Sequence, residues 1–187
     1  MKKTILTILL CGGMLFSLTG CGKEDTEEDN QQEQYQIQDS GAVDKETAEV
    51  LVAKFNTEVV DNSTLNPASE EYSTIYEDEY WYGLIAGIYL IVYPIEFTGN
   101  LTNDIVDYMV LYVEKESENE SMVNEYMKYL IQANNSEITT DEVNELMAKA
   151  KETAANGTTV NNGKGIDIGY IDNEDNYQYQ VIRLYEE

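Results

Sequence analysis

Four short stretches hold the residue types that could do chemistry. Tyr76, Tyr80, Trp81 and Tyr82 crowd one segment beside Glu77, Asp78 and Glu79. Tyrosine and tryptophan give a large contact area at small entropic cost, so these four form the candidate binding patch, suited to a sugar or a peptide. Core packing competes for the same side chains: with 15 Tyr against 3 Phe, tyrosine must supply most of the buried rings. Asp172-Asn173-Glu174-Asp175-Asn176 brings oxygen ligands together as calcium requires. An EF-hand-style loop starting there would place Tyr177 where glycine is needed and Arg183 where a bidentate Glu is needed. The segment therefore reads as a solvated hairpin turn, and no metal is assigned. Asn161-Asn162-Gly163-Lys164-Gly165 has a phosphate-loop look, but it lacks Walker spacing and leads into a strand rather than a helix.

Composition removes more chemistry than the motifs supply. The chain has no histidine, which excludes Ser-His-Asp and Cys-His catalysis and every zinc site that needs His. Paired carboxylates remain, since one acid and one nucleophile or base can hydrolyse a glycosidic bond. Residues 42–187 hold 29 of the 36 acidic side chains, with no pattern to select two. Glu96 is the least ordinary of them, because it stands in an apolar strand and would have a raised pKa if buried. No catalytic residue and no cofactor is assigned.

The elements that must position these groups follow from periodicity. Residues 44–60 read as a helix, with Asp44 as N-cap and Ala48, Leu51, Val52, Phe55 and Val59 on one face. Residues 61–79 are polar, contain Pro67 and read as a long connection. From residue 80 to residue 95 there is no charge. That run is short of the roughly 20 residues of a membrane span, and its Ile, Val and Tyr content favours one buried strand with a bend at Gly87. Thr98-Gly99-Asn100 makes a turn, and residues 105–114 read as a second strand, apolar on both faces. A helix then starts at a Ser117/Glu120 capping box, with Met122, Val123, Tyr126, Met127, Leu130 and Ile131 as its stripe. Another starts at Thr139/Glu142 and stops at Asn156-Gly157. Ile166, Ile168 and Tyr170 alternate against Tyr177, Tyr179 and Val181 as a closing hairpin. The fold class expected is α+β: a single antiparallel sheet of about four strands with about three helices packed on it.

Residues 1–20 have another purpose. Lys2 and Lys3 open the chain, an apolar run covers residues 5–16, and Leu18-Thr19-Gly20-Cys21 closes it, the layout of a secretory signal. Those last four residues resemble the lipobox of bacterial lipoproteins: an apolar residue, two small residues and a cysteine. The resemblance implies cleavage before Cys21 and a lipid on its sulfur. Cys11 would leave with the signal, so the folded part would hold no cysteine and no disulfide. Residues 21–41 would then be the lipidated Cys and an acidic flexible tether, spanning roughly 25 Å as a coil, with residues 42–187 as a single globular domain.

Loss of Lys2 and Lys3 leaves nine basic residues against 36 acidic ones, a side-chain charge of −27. Such a field repels nucleic-acid phosphate and anionic lipid alike, so nucleic acid is excluded as a partner and attachment must come from acyl chains. The sequence therefore points to the extracytoplasmic side of a bacterial membrane. The expected function is a lipid-anchored, non-catalytic binding or interaction module for an envelope protein or polymer. The alternatives are a carboxylate-dependent hydrolase of envelope polymer and an accessory subunit of a membrane complex that docks through a sheet edge or the Tyr/Trp patch.

Overall fold

The computed structural model describes residues 41–76, 78–117, 119–154 and 158–186. The signal segment, Leu18-Thr19-Gly20-Cys21 and the tether up to residue 40 lie outside the described residues, as does the Asn156-Gly157 helix stop.

Helix α1 spans Ala48–Asn62, and its buried residues are Ala48, Leu51, Val52, Phe55 and Val59, the stripe expected from spacing. Its N-cap is Thr47, not Asp44, and the cap makes no side-chain hydrogen bond. Carbonyls of a neighbouring loop satisfy the free amides instead: Ala48 N donates to Asp104 O at 2.9 Å and Glu49 N to Leu101 O at 3.2 Å. With that support the preceding residues stay extended, and Thr47 bridges Ile105.

The uncharged run is two strands rather than one. After the two-residue β1, Tyr72–Ser73, come β2, Tyr80–Ile85, and β3, Ile88–Pro94, with Ala86 and Gly87 turning between them. Gly87 takes φ +77°, a conformation that glycine adopts freely, so the residue expected to bend a strand reverses it. Before strand β4, Val106–Glu114, the chain bends at Gly99, φ +75°, and its hydrogen-bonded turn runs from Asn100 to Asp104, just after the Thr98-Gly99-Asn100 segment expected to turn. Helix α2, Glu120–Asn134, is capped by Asn119, whose side chain accepts from Met122 N; Ser117 belongs to a single 3-10 turn before it. Helix α3, Thr140–Thr153, carries the capping box expected of Thr139 and Glu142, with both hydrogen bonds made. The chain closes through β5, Val160–Asn161, β6, Ile166–Asp172, and β7, Asn176–Arg183.

All seven strands join one antiparallel sheet in the order β1-β2-β3-β4-β7-β6-β5. The class is α+β with three helices, as expected, but the sheet has seven strands where about four were expected. The difference is the β2/β3 reversal and two edge strands of two residues each, too short to show a period. Helix α2 packs on β4 and β7, α3 on β5 and β6, and α1 on α2. The helices thus share one face of the sheet, and the buried core includes Phe55, Tyr80, Leu90, Leu111, Tyr126 and Tyr179.

Tyrosine is chosen over phenylalanine where a ring must end at a polar group. The Tyr126 hydroxyl donates to Asn66 O at 2.9 Å and the Tyr129 hydroxyl to Asn62 O at 3.0 Å, pinning the connection after α1. The Tyr80 hydroxyl donates to the buried Asp104 carboxylate at 2.5 Å. Thr98 adds its hydroxyl and its backbone N–H to the same carboxylate. Burial alone would raise the Asp104 pKa, but the hydrogen bonds from Thr98 and Tyr80 outweigh it and hold the carboxyl below its ordinary 3.8.

Two outcomes follow for stability. Asp104→Ala strands three donors and is expected to cost about 3 kcal/mol in urea melts at pH 7, with Tyr80→Phe adding little in the double variant. Because the folded pKa lies below the unfolded one, the contribution is complete above pH 3.8 and fades as pH falls through the folded value. Glu142 behaves likewise: hydrogen bonds from Lys164, at 2.7 Å, and from Thr139 lower its carboxyl from 4.5 to about 2. Its contribution is present above pH 4.5 and lost toward pH 2, and Lys164→Met should raise the Glu142 midpoint in an NMR titration.

Candidate functional site

Consecutive residues of a strand point to opposite faces, and this rule divides the Tyr/Trp patch. Tyr80 and Tyr82 turn toward the helices and are 0% and 3% exposed, so both are core residues, unable to offer a ring face to a ligand. Trp81 turns the other way and is half-buried. Tyr76, in the segment before β2, is exposed, and its hydroxyl lies close enough to that of Tyr112 to disfavour ionisation there. Of the four residues singled out together, the structure places only Trp81 in the sheet face away from the helices.

On that face Trp81 gains companions from β3 and β4. Its ring centroid lies 5.6 Å from Tyr89 and 5.6 Å from Tyr112, and those two are 6.1 Å apart, with planes inclined by 55° to 62°. Tyr89 and Tyr112 are direct cross-strand partners, and Tyr89 faces Gly83 on its other side. The missing side chain at Gly83 leaves a shallow cleft of about 250 Å³ against Trp81 and Tyr89, with Ile75 at its edge. Four residues along β4, Tyr93 and Tyr108 form a second pair, stacked 4.4 Å apart at 12°. Offset and edge-on aromatic contacts of this kind contribute about 0.5–1.5 kcal/mol each beyond area burial.

These rings roof a small second core. Ile91 and Val110 are 2% and 1% exposed although both stand apart from the helix-covered cluster. They pair with one another across β3 and β4, and Trp81 pairs with Ile91. Below the roof lies Glu79, 3% exposed, which accepts from Trp81 Nε1 at 2.6 Å and is hydrogen-bonded by the Tyr93 hydroxyl. Burial first, and then Glu79, pushes the Tyr93 pKa far up. Burial with Asp107, Glu79 and Asp78 raises that of Tyr108, and burial with Glu114, Tyr89 and Asp175 raises that of Tyr112. Each hydroxyl therefore stays neutral in a negative field, and that of Tyr93 donates to Glu79.

The other candidates resolve into structure. Asp172-Asn173-Glu174-Asp175-Asn176 closes the β6/β7 hairpin, and the cation it holds is Lys115, 2.7 Å from Asp172 and bonded to Asn173 O. In the Asn161–Gly165 loop, Gly163 N donates to Asn161 Oδ1 and Lys164 N to Asn162 Oδ1, both at 2.7 Å, so those amides are already engaged. Glu96 is exposed beyond the end of β3 rather than buried. The buried carboxylates Glu79 and Asp104 do not converge: the first bonds to Trp81 on the uncovered face, the second to Tyr80 on the covered one. A larger open cleft of about 740 Å³ lies beside α1, where Glu46 pairs with Lys54 and with buried Arg183. The guanidinium also reaches Asn134 Oδ1 at 2.7 Å and Asp44 O at 2.6 Å, so this charge is structural.

Tyr89, Tyr93, Tyr108, Tyr112 and Glu79 are the site residues that spacing did not single out. Their signal exists as two i, i+2 series, Tyr89-Ile91-Tyr93 and Tyr108-Val110-Tyr112, hidden because the alternate positions are apolar as well.

Trp81 is the one tryptophan of the chain, so its emission reports this face alone. Glu79→Ala removes the acceptor for the indole and for Tyr93. It is expected to cost about 2 kcal/mol in urea and to shift Trp81 emission to longer wavelength with stronger acrylamide quenching. Unchanged emission and stability would mean that Glu79 does not anchor the rings. Comparison of the chain with protein-family models, with curated proteins and with solved structures found no match.

Proposed function

We propose that the chain is a bacterial lipoprotein, held to the extracytoplasmic side of the membrane through a lipid on Cys21, and that its domain is a non-catalytic binding module. The uncovered aromatic face is its contact surface, for an envelope protein or polymer. What supports the anchor is the signal layout ending in Leu18-Thr19-Gly20-Cys21. Among the described residues no helix is long and apolar enough to cross a membrane. The acidic tether gives the domain reach away from the bilayer surface.

The observation that carries the binding reading is the roof itself. Trp81, Tyr89, Tyr93, Tyr108 and Tyr112 are all half-buried on a sheet face that no helix among the described residues covers. Rings of this type are rigid and amphipathic, and such patches concentrate binding energy when a partner desolvates them. The hydrolase alternative needs two carboxylates on one cleft, whereas Glu79 and Asp104 are each tied to their own donors.

Mass spectrometry of the native protein tests the anchor. A lipid thioether on an N-terminal Cys21 is expected, and Cys21→Ala should leave the membrane fraction; an unmodified thiol or a retained Met1 would overturn it. Hydroxyl-radical footprinting tests the surface. Trp81, Tyr89 and Tyr112 should be modified several-fold less in intact cell envelopes than in the purified full chain, while half-buried Met122 on α2 changes little. Equal modification in both preparations would remove the contact surface.

A further inference from the structure

The field around the roof has one sign. Asp78 and Asp107 act on Tyr108, and Glu114 and Asp175 act on Tyr112. The buried Glu79 carboxylate lies between the two ring groups, since it is bonded to Trp81 of one and Tyr93 of the other. Donating to a carboxylate also enriches the π-systems of the indole and the phenol, which strengthens their attraction for a cation. Lys115, which directly follows β4, is already paired with Asp172. The other basic side chains among the described residues are engaged elsewhere. Lys54, Lys149 and Lys151 pair with acids on or beside the helices, Lys164 with Glu142, and Arg183 is buried against Glu46. Lys45 lies over Tyr185 and Lys128 over Tyr129.

We propose that this face binds the lysine or arginine side chains of a basic, extended polypeptide segment of a partner protein. The proposal rests on the binding reading above and specifies its ligand chemistry. Two cation seats are available: the tilted Trp81, Tyr89 and Tyr112 rings, and the stacked Tyr93 and Tyr108 pair. Tyr108 and Tyr112 are four residues apart on one strand, which sets the seats about 13 Å from one another. An extended partner with basic residues four positions apart has the same spacing, since its side chains at i and i+4 share a face. The carboxylates around the seats pair with ammonium or guanidinium groups, and the side-chain charge of −27, nine basic against 36 acidic residues in the lipidated form, speeds encounter with a basic partner. A flat surface with a cleft of only about 250 Å³ suits a chain laid across it better than an enclosed small molecule.

The test uses the purified full-length lipoprotein in neutral detergent, with hexalysine as the probe and Trp81 emission as the readout. Saturable quenching or shift is expected, weakening with added salt. Tyr112→Leu and the double variant Asp107→Asn/Glu114→Gln should each weaken binding about tenfold while keeping the melting temperature within a few degrees. A helix-side variant of equal charge change, Glu137→Gln/Glu145→Gln, should bind as the wild type. Hexaglutamate and a neutral dextran should leave the emission unchanged. The proposal is overturned if hexalysine does not move Trp81 emission, if both charge variants weaken binding equally, or if dextran competes. If envelope footprinting still shows protection while hexalysine fails, the contact surface stands without its cationic ligand. Failure of both removes surface and ligand together.

Discussion

A single sheet has two faces, and three helices on one side can cover only one of them. The aromatic side of this domain follows from how the second face is closed. In β3 and β4 the inward series, Ile88, Leu90, Val92 and Met109, Leu111, Val113, packs under helices. The outward series would leave Ile91 and Val110 in water, at a cost of about 2 kcal/mol each. Tyr89, Tyr93, Tyr108, Tyr112 and Trp81 flank them in the same register and lean over them, leaving the two aliphatic side chains almost fully buried. The rings bury their bodies and keep a polar edge in water, as amphipathic side chains do. A structural need thus creates a half-exposed aromatic surface.

The same preference for tyrosine organises the covered side. Hydroxyls of Tyr80, Tyr126 and Tyr129 each end on an oxygen of a connecting segment, so rings that fill the core also fix the loops around it. Asp104 is the densest of these junctions. Its carboxylate collects Tyr80 and Thr98, while its backbone carbonyl receives the first amide of α1. One residue of the β3–β4 connection therefore ties β2 to the start of α1, and it supplies the cap that Thr47 does not make. Without disulfides among the described residues, such buried polar junctions specify how the loops seat.

Legibility in the sequence tracked how cleanly each residue's periodicity could be seen. The α1 stripe, the Thr139/Glu142 box and the β6/β7 alternation each involve polar residues opposite apolar ones, so their phase is visible. The run from residue 80 to residue 95 is apolar at both phases, because one series is roofed by helices and the other by rings. Its reversal at Gly87 had no charged residue to mark it. Strands β1 and β5 have two residues each and exist only through their neighbours. Tyr80, Trp81 and Tyr82 are adjacent in sequence but not in space, because a strand sends adjacent residues to opposite faces. The buried carboxylate Glu79 had no sequence signal apart from its place beside Trp81.

The proposed contact surface is tested most directly at its one tryptophan. With 5-fluorotryptophan at position 81, a single fluorine resonance reports the centre of the roof. Titration with tetramethylammonium should shift that resonance saturably, while neopentyl alcohol, a neutral molecule with a similar branched body, should not at the same concentration. A resonance indifferent to the cation, or equally displaced by the alcohol, would contradict a cation-binding aromatic face and reduce the roof to a cover for Ile91 and Val110.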